Sequence, residues 1–493
     1  MVNPYREPGM EAYWIPSDLE SAAFGTKISD EFFQVKTGGD IAFLHGVTRI
    51  VIEENWYDAD FINEHTAEFD TLRGTLQSFS WEHLEREAGL SKAEMHACAT
   101  LIKNAEKAVF VWGMGITQHQ CGENNVHAII NLALMKGFVG REGCGLMPIR
   151  GHSGVQGGAE MGAYASTLPG GLSINSENAA KLSEQYGFKI SDIPGITTPE
   201  MLDAASAGEI DVLFAAGGNF KEVMPDPQGV TGTLQKIPLR VHMDIVLNPQ
   251  MFIDPAETVI LLPAMTRYEI PGGVTETSTE RRIIFSPEIE GHRIEQARSE
   301  WDVVSDLAAR LHPEHADKVR FESTAAIREE IGDVVSYYDG IQNLTKEGDS
   351  MQYGGARLCE GWNFPTPDGK AHFKAAPLPD YGLADDEFML VTRRGKQFNS
   401  IIHDEVDSLN HEKRDALLIN QTDATRLNIK TGDTVLLENT HGRYRGVASI
   451  VDVAPGTVQV YWPEGNMLLD PQARSPLAKI PAYKSVNVRL KKL

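Results

Sequence analysis

Residues 108–140 read AVFVWGMGITQHQCGENNVHAIINLALMKGFVG. The opening run is apolar, rich in β-branched and aromatic residues, and breaks at Gly113, the pattern of a short strand. Further on, apolar residues return at i, i+3 and i+4 spacing and stop at Gly137, the pattern of a helix. Strand, glycine turn and helix in succession build an α/β layered fold.

The pattern extends in both directions. GGDIAFLHGVTRIVIEENW, residues 38–56, predicts a helix with Asp40 at its N-cap. SKAEMHACATLIKNAEKA, residues 91–108, predicts a second, capped by Ser91. The first nine residues, MVNPYREPG, look like a strand end running into a Pro/Gly turn. Downstream, EIDVLFAAGGNF (209–220), KIPLRVHMDIV (236–246) and AETVILLPAM (256–265) are apolar runs followed by loop residues. They predict buried parallel strands with ligand loops at their C-terminal ends. From EFMLVTRRG (387–395) the style changes to strand-like runs between glycine turns, which predicts a β-barrel or sandwich. The expected organisation is an α/β domain over 1–152, a second over 153–310, a connecting segment over 311–383 and a β-barrel over 384–493.

Composition narrows the function classes. The 493 residues carry a net charge of −24. That field repels phosphates, so a general nucleic-acid or acidic-membrane binder is excluded, while a local basic pocket is not. No apolar run approaches the roughly 20 residues of a membrane span, so no membrane insertion is expected. The N-terminus lacks the layout of a signal peptide. Cys98, Cys121, Cys144 and Cys359 form no C-x-x-C pair and give no zinc or iron–sulfur spacing, so no metal ligand is nominated. A cytoplasmic chain with reduced thiols is the expectation.

The stretch MPIRGHSGVQGGAEMG, Met147–Gly162, sets Arg150 and His152 among five glycines. Glycine lets backbone approach a ligand closely. One fixed cation in such a frame indicates an anion. GMGITQHQ (113–120) follows a strand but lacks the third glycine and the later acidic residue of a nicotinamide fingerprint. AAGGNF (215–220) puts Asn219, both donor and acceptor, at a strand end. TRRGKQFNS (392–400) gathers cations and amides suited to phosphate oxygens. ETSTERR (276–282) and HDEVDSLNHEKRD (403–415) read as solvated charged loops.

Taken in order, GMGITQH, NLALMKGFVGREGCGLMPIRGHSGVQGGAEMG, GGNF, ETSTERR, TPDGKAHF, TRRGKQFNS and the ending GNMLLDPQARSPLAKIPAYKSVNVR resemble the molybdopterin oxidoreductase family, specifically formate-dehydrogenase-like alpha subunits. The resemblance runs along essentially the whole chain. It implies a double-psi type for the C-terminal barrel, and a molybdenum centre held by two molybdopterin guanine dinucleotides. By motif match, Met114, Gln118, Gly151, His152, Asn219, Glu300, Arg394, Gln397, Asn399, Asn466 and Lys484 would face the cofactor. Asn219 and Glu300 would meet its guanosine part. Arg150 matches the arginine that orients the substrate carboxylate, with formate the favoured small-molecule substrate. His152 stands where a well-known relative has glutamine, which bears on the substrate.

The family's cysteine cluster for a [4Fe–4S] centre and its cysteine or selenocysteine metal ligand have no counterpart here. The chain is therefore expected to match the C-terminal two-thirds of such an enzyme. It would work with a missing N-terminal half or an electron-transfer subunit, and be inactive alone. Two rivals stand beside this reading. One is a non-catalytic cofactor-binding fragment or half of a split enzyme. The other is a nicotinamide dehydrogenase, against which the missing fingerprint weighs.

Overall fold

The first long helix, α1 (Asp40–Glu53), has Gly39 and not Asp40 at its N-cap. A Cβ at position 39 would lie 2.4 Å from the Glu87 carbonyl oxygen, so packing reserves the cap for glycine. Asp40 becomes the first helical residue, where the helix dipole favours a carboxylate, while burial pushes its carboxyl up to about 6. Helix α2 (Lys92–Asn104) starts as expected, with a complete capping box between Ser91 and Glu94. Helix α3 (Gly122–Leu134) follows strand β1 (Val109–Trp112). Helix α1 packs against α2 and α3 around Phe43, Val47, Val51, Leu84, Met95 and Leu132. Gly46 is the crossing point: the Met95 sulfur occupies the space its Cβ would need.

This is a computed structural model describing residues 1–152, 154–396 and 404–493; the candidates Gln397 and Asn399 lie outside the described residues. Its contacts regroup the expected consecutive segments into two units. One combines Met1–Leu146, Glu222–Pro227 and Cys359–Leu493; the other combines Met147–Lys221 and Gln228–Leu358.

In the second unit, the short helix α4 (Val155–Glu160) follows the Arg150 stretch. Strands β2 (Val212–Ala216), β3 (Leu239–Asp244) and β4 (Thr258–Pro263) then pair in parallel, with β3 central. The expectation of three buried strands is corrected. Only β3 is buried, because β2 and β4 are edges that leave Val212, Ile260 and Leu261 exposed. ETSTERR is also corrected. It is no solvated loop but the turn joining β5 (Val274–Thr277) to β6 (Arg282–Ser286), with Thr277 buried. Helices α5 (Glu300–Leu311) and α6 (Thr324–Val334) and strand β7 (Ser350–Gln352), paired with β6, complete the unit.

The chain then returns to the first unit and closes a six-stranded barrel. Its strands are β8 (Glu387–Arg393), β9 (Ala416–Ile419), β10 (Thr434–Glu438), β11 (Arg443–Ile450), β12 (Thr457–Tyr461) and β13 (Val486–Lys492). The order around it is β8-β12-β9-β11-β10-β13. Parallel pairs β8–β12 and β9–β11 are interleaved with antiparallel ones, the double-psi arrangement. Leu390, Leu417, Ile419, Val435, Leu437 and Val458 fill it. HDEVDSLNHEKRD is less solvated than expected. Asp407 is 1 % exposed, and its carboxylate accepts the Lys396 and Leu409 amides, which is what allows the burial. Among the described residues, no helix is long and apolar enough to cross a membrane.

Candidate functional site

Within the first unit, β1 ends at Gly113 and the chain makes one helical turn, Met114–Thr117. Gln118 follows, its amide 3.7 Å from the Met114 sulfur. The Gln118 carbonyl accepts the Lys484 backbone N–H at 3.0 Å, which ties the end of the barrel to this turn. The Lys484 ammonium donates to the Thr392 carbonyl at the end of β8. The Arg394 guanidinium lies 4.3 Å over the Trp462 ring, and Arg393 lies over Tyr5 and Tyr461. Met114 and Gln118, expected against one dinucleotide, and Arg394 and Lys484, Arg394 being expected against the other, are thus gathered by β1, β8 and the residues before β13.

The electrostatics of this cluster favour an anion. Burial, with Arg394 and Arg393 nearby, pulls the Lys484 ammonium down to about 7; Glu7 opposes them. Burial also holds His119 down to about 4, with Lys484 contributing, so its imidazole is neutral near pH 7. His119 Nε2 meets the Gly115 carbonyl at 2.9 Å and must donate there. Its Nδ1 is then a buried acceptor with no partner among the described residues. A ligand bringing a negative group to Lys484 and an N–H or O–H to His119 would complete both.

Lys484 gives a testable pH dependence. Its folded value lies below its ordinary one, so burying the charge costs stability fully below about pH 7. The cost fades as pH rises through 7 toward the unfolded value. Lys484→Met is expected to raise the thermal midpoint of the ligand-free chain at pH 6 and to have little effect at pH 10. Thermal unfolding at the two pH values checks this.

Asn466 is fully buried. Its amide donates to the carbonyls of Glu222, Val223 and Met224, at 2.7, 3.2 and 3.4 Å. The Tyr483 hydroxyl donates to Val223 O at 2.7 Å. Asn466 therefore holds the Glu222–Pro227 segment in place.

In the second unit, Asn219 follows β2 after two glycines with φ of 72° and 79°, a left-handed pair that non-glycine residues avoid. Around it, Asn248 Nδ2 and Gln250 Nε2 donate to Gly218 O at 3.2 and 2.8 Å, and Gln250 Oε1 accepts the Phe220 N–H. Asn248 also donates to Asp244, the last residue of β3, at 3.1 Å. Burial and the nearby Asp244 carboxylate raise the Glu300 carboxyl at the start of α5. Asn219 and Glu300 are thus linked through Asp244 and Asn248 at the C-terminal ends of parallel strands, where open α/β sheets bind ligands.

Arg150 lies between Pro148, whose carbonyl accepts from Nη1 at 3.1 Å, and the exposed Gly151 and His152. Among the described residues, no ion pair engages its guanidinium. Gln118 belongs to the first unit, and Arg150 and Asn219 to the second. His119, Tyr483, Asp244 and Asn248 were not singled out from sequence. His119 and Asp244 do stand inside motifs that end strands, the one signal that could have found them.

The fold and these clusters define a class: an α/β protein with cationic and amide-bearing side chains at its strand ends, closed by a double-psi barrel. The Molybdopterin oxidoreductase family matches residues 14–310, and the Molydopterin dinucleotide binding domain matches residues 388–487. The chain belongs to the molybdopterin oxidoreductase family. Protein YdeP of Escherichia coli strain K12 is 29% identical over 99% of this chain and 68% of its own length. The F420-dependent formate dehydrogenase subunit alpha of Methanocaldococcus jannaschii is 28% identical over 95% of this chain and 70% of its own. Acetylene hydratase from Pelobacter acetylenicus shares the fold, with a TM-score of 0.69 at 15% identity over 100% of this chain and 73% of that one.

Proposed function

We propose that the protein is a formate-dehydrogenase-like subunit, oxidising formate or a similar small carboxylate by two electrons. The cofactor would be molybdenum carried by two molybdopterin guanine dinucleotides. The observation that carries the reading is Arg150: a guanidinium beside a glycine-rich stretch with no carboxylate partner among the described residues. A guanidinium stays charged at any working pH and grips a carboxylate with two parallel hydrogen bonds.

Asn219, Glu300 and Asp244 would hold a guanine, whose ring N–H and amino group donate to carboxylates. Met114, Gln118, His119, Arg394 and Lys484 would hold the second dinucleotide, with Gln397 and Asn399 further candidates by motif match. When bound, the centre would supply the redox chemistry that turns formate into carbon dioxide, a proton and two electrons. Arg150 would bind and orient the carboxylate, with Gly151 and His152 shaping the approach. Lys484 would be recharged by the arriving pyrophosphate, taking up a proton near pH 7. Asn466 would keep the Glu222–Pro227 segment in register. The electrons would leave through a [4Fe–4S] centre on a further segment or partner subunit, in the cytoplasm.

Metal and pterin analysis of the purified protein tests this, together with formate-dependent reduction of a dye. Molybdenum with two guanine nucleotides per chain, and dye reduction when an electron-transfer partner is supplied, is the expected result. Bound pterin without formate turnover would favour a cofactor-binding subunit. No pterin and no metal would end the reading.

A further inference from the structure

Helix α4 follows Arg150 by only five residues and is held at both ends. At its start, Gly154 N–H donates to Thr277 O at 2.8 Å and Gly157 N–H to Thr277 Oγ1 at 2.6 Å. A Cβ at Gly157 would fall 2.6 Å from that hydroxyl, so glycine is what lets α4 sit on β5. At its end lies Glu160. Tyr338 OH donates to Glu160 Oε2 at 2.5 Å, and Tyr353 OH donates to Oε1 at 2.9 Å. Gln156, one turn earlier, donates to Tyr353 OH at 2.6 Å and to Glu160 Oε1 at 3.1 Å. The Glu160 carbonyl accepts the Gly170 and Gly171 amides.

The two tyrosines are a rigid support. They are 2 % and 5 % exposed, their rings are 4.6 Å apart, and both belong to the apolar cluster of Ile283, Phe285 and Val335. Burial first, and the hydrogen bond to Glu160 second, push both hydroxyls well above their ordinary range. They therefore stay donors at any working pH.

We infer that Glu160 is a positioning residue for Arg150: its carboxylate, gripped by Tyr338 and Tyr353, fixes α4 and through it the glycine-rich stretch that carries the guanidinium. A stretch so rich in glycine has high conformational entropy, and a nearby anchor restrains it. The assignment of Arg150 to the substrate rests on the reading above; the clamp itself does not.

Trypsin separates the two. The Arg150–Gly151 bond is a tryptic site, and Gly151 and His152 are exposed. Cleavage there follows the fraction of time the stretch is open. Glu160→Gln keeps the shape but turns one acceptor into a donor facing a phenol. In the 493-residue chain, initial cleavage after Arg150 should rise about tenfold, the effect of losing one such hydrogen bond. Cleavage after Lys27 should not change, and the thermal midpoint should fall by no more than the loss of that one hydrogen bond accounts for. Tyr353→Phe, which removes one donor and adds none, should give a smaller rise and keeps the test alive if Glu160→Gln folds poorly. In a complete, cofactor-loaded enzyme containing this region, Glu160→Gln should raise KM for formate and leave kcat nearly unchanged.

Unchanged cleavage after Arg150 in both variants overturns the clamp. A parallel rise at Lys27 of the same size also overturns it, because that marks general loosening. Faster cleavage in Glu160→Gln together with unaltered formate kinetics in Arg150→Lys keeps the clamp and removes the substrate role of Arg150.

Discussion

In a complete enzyme containing this region, Arg150→Lys is expected to lower kcat/KM for formate about a hundredfold, about 2.7 kcal/mol of transition-state stabilisation. Lysine keeps the charge but is a hydrated point cation and cannot offer two parallel N–H groups. Molybdenum and pterin content should stay near normal, because the cationic cluster around Lys484 and the Asn219–Glu300 cluster are untouched by the change. Turnover normalised to bound molybdenum is the measurement. If cofactor content falls while normalised turnover holds, Arg150 braces the cofactor and leaves the list of substrate-binding residues.

Asn466→Ala is expected to destabilise the protein by about 2–3 kcal/mol. It removes a fully buried amide and strands the carbonyls of Glu222, Val223 and Met224. Asn466→Asp should be at least as harmful, because a carboxylate cannot donate to a carbonyl and its charge would be buried. Denaturant unfolding gives the size of the loss. Proteolysis within Glu222–Pro227 shows whether that segment opens first. A loss under about 0.5 kcal/mol for both variants would mean that other contacts hold the segment.

The pattern of elements was legible because its signals are local. Ser91 and Glu94 are three residues apart and cap α2 whatever surrounds them. The run AVFVW ends at Gly113 in the sequence and in the fold. Alternation between glycine turns announced the barrel strands, and three apolar runs announced the parallel sheet. Neighbour effects were not legible. Asp40 looks like an N-cap until the Glu87 carbonyl, far along the chain, leaves room at position 39 for glycine alone.

The candidate site divides the same way. Residue types at strand ends, Gln118, Asn219 and Arg394, could be picked from motifs, because a glycine break after an apolar run is where ligand loops form. Their protonation states and supports could not. The neutral imidazole of His119 depends on burial and on Lys484, 365 residues away. Thr277 and Asp407 lie in charged stretches, yet they are buried because each accepts backbone N–H groups. The sequence by itself determined the order of strands and helices, the barrel at the end and the chemistry of the motif residues. Tertiary structure alone decided that Glu160 meets Tyr338 and Tyr353, 178 and 193 residues on. A hydrogen bond closed over that span leaves no periodicity in the chain, only an ordinary glutamate and two ordinary tyrosines.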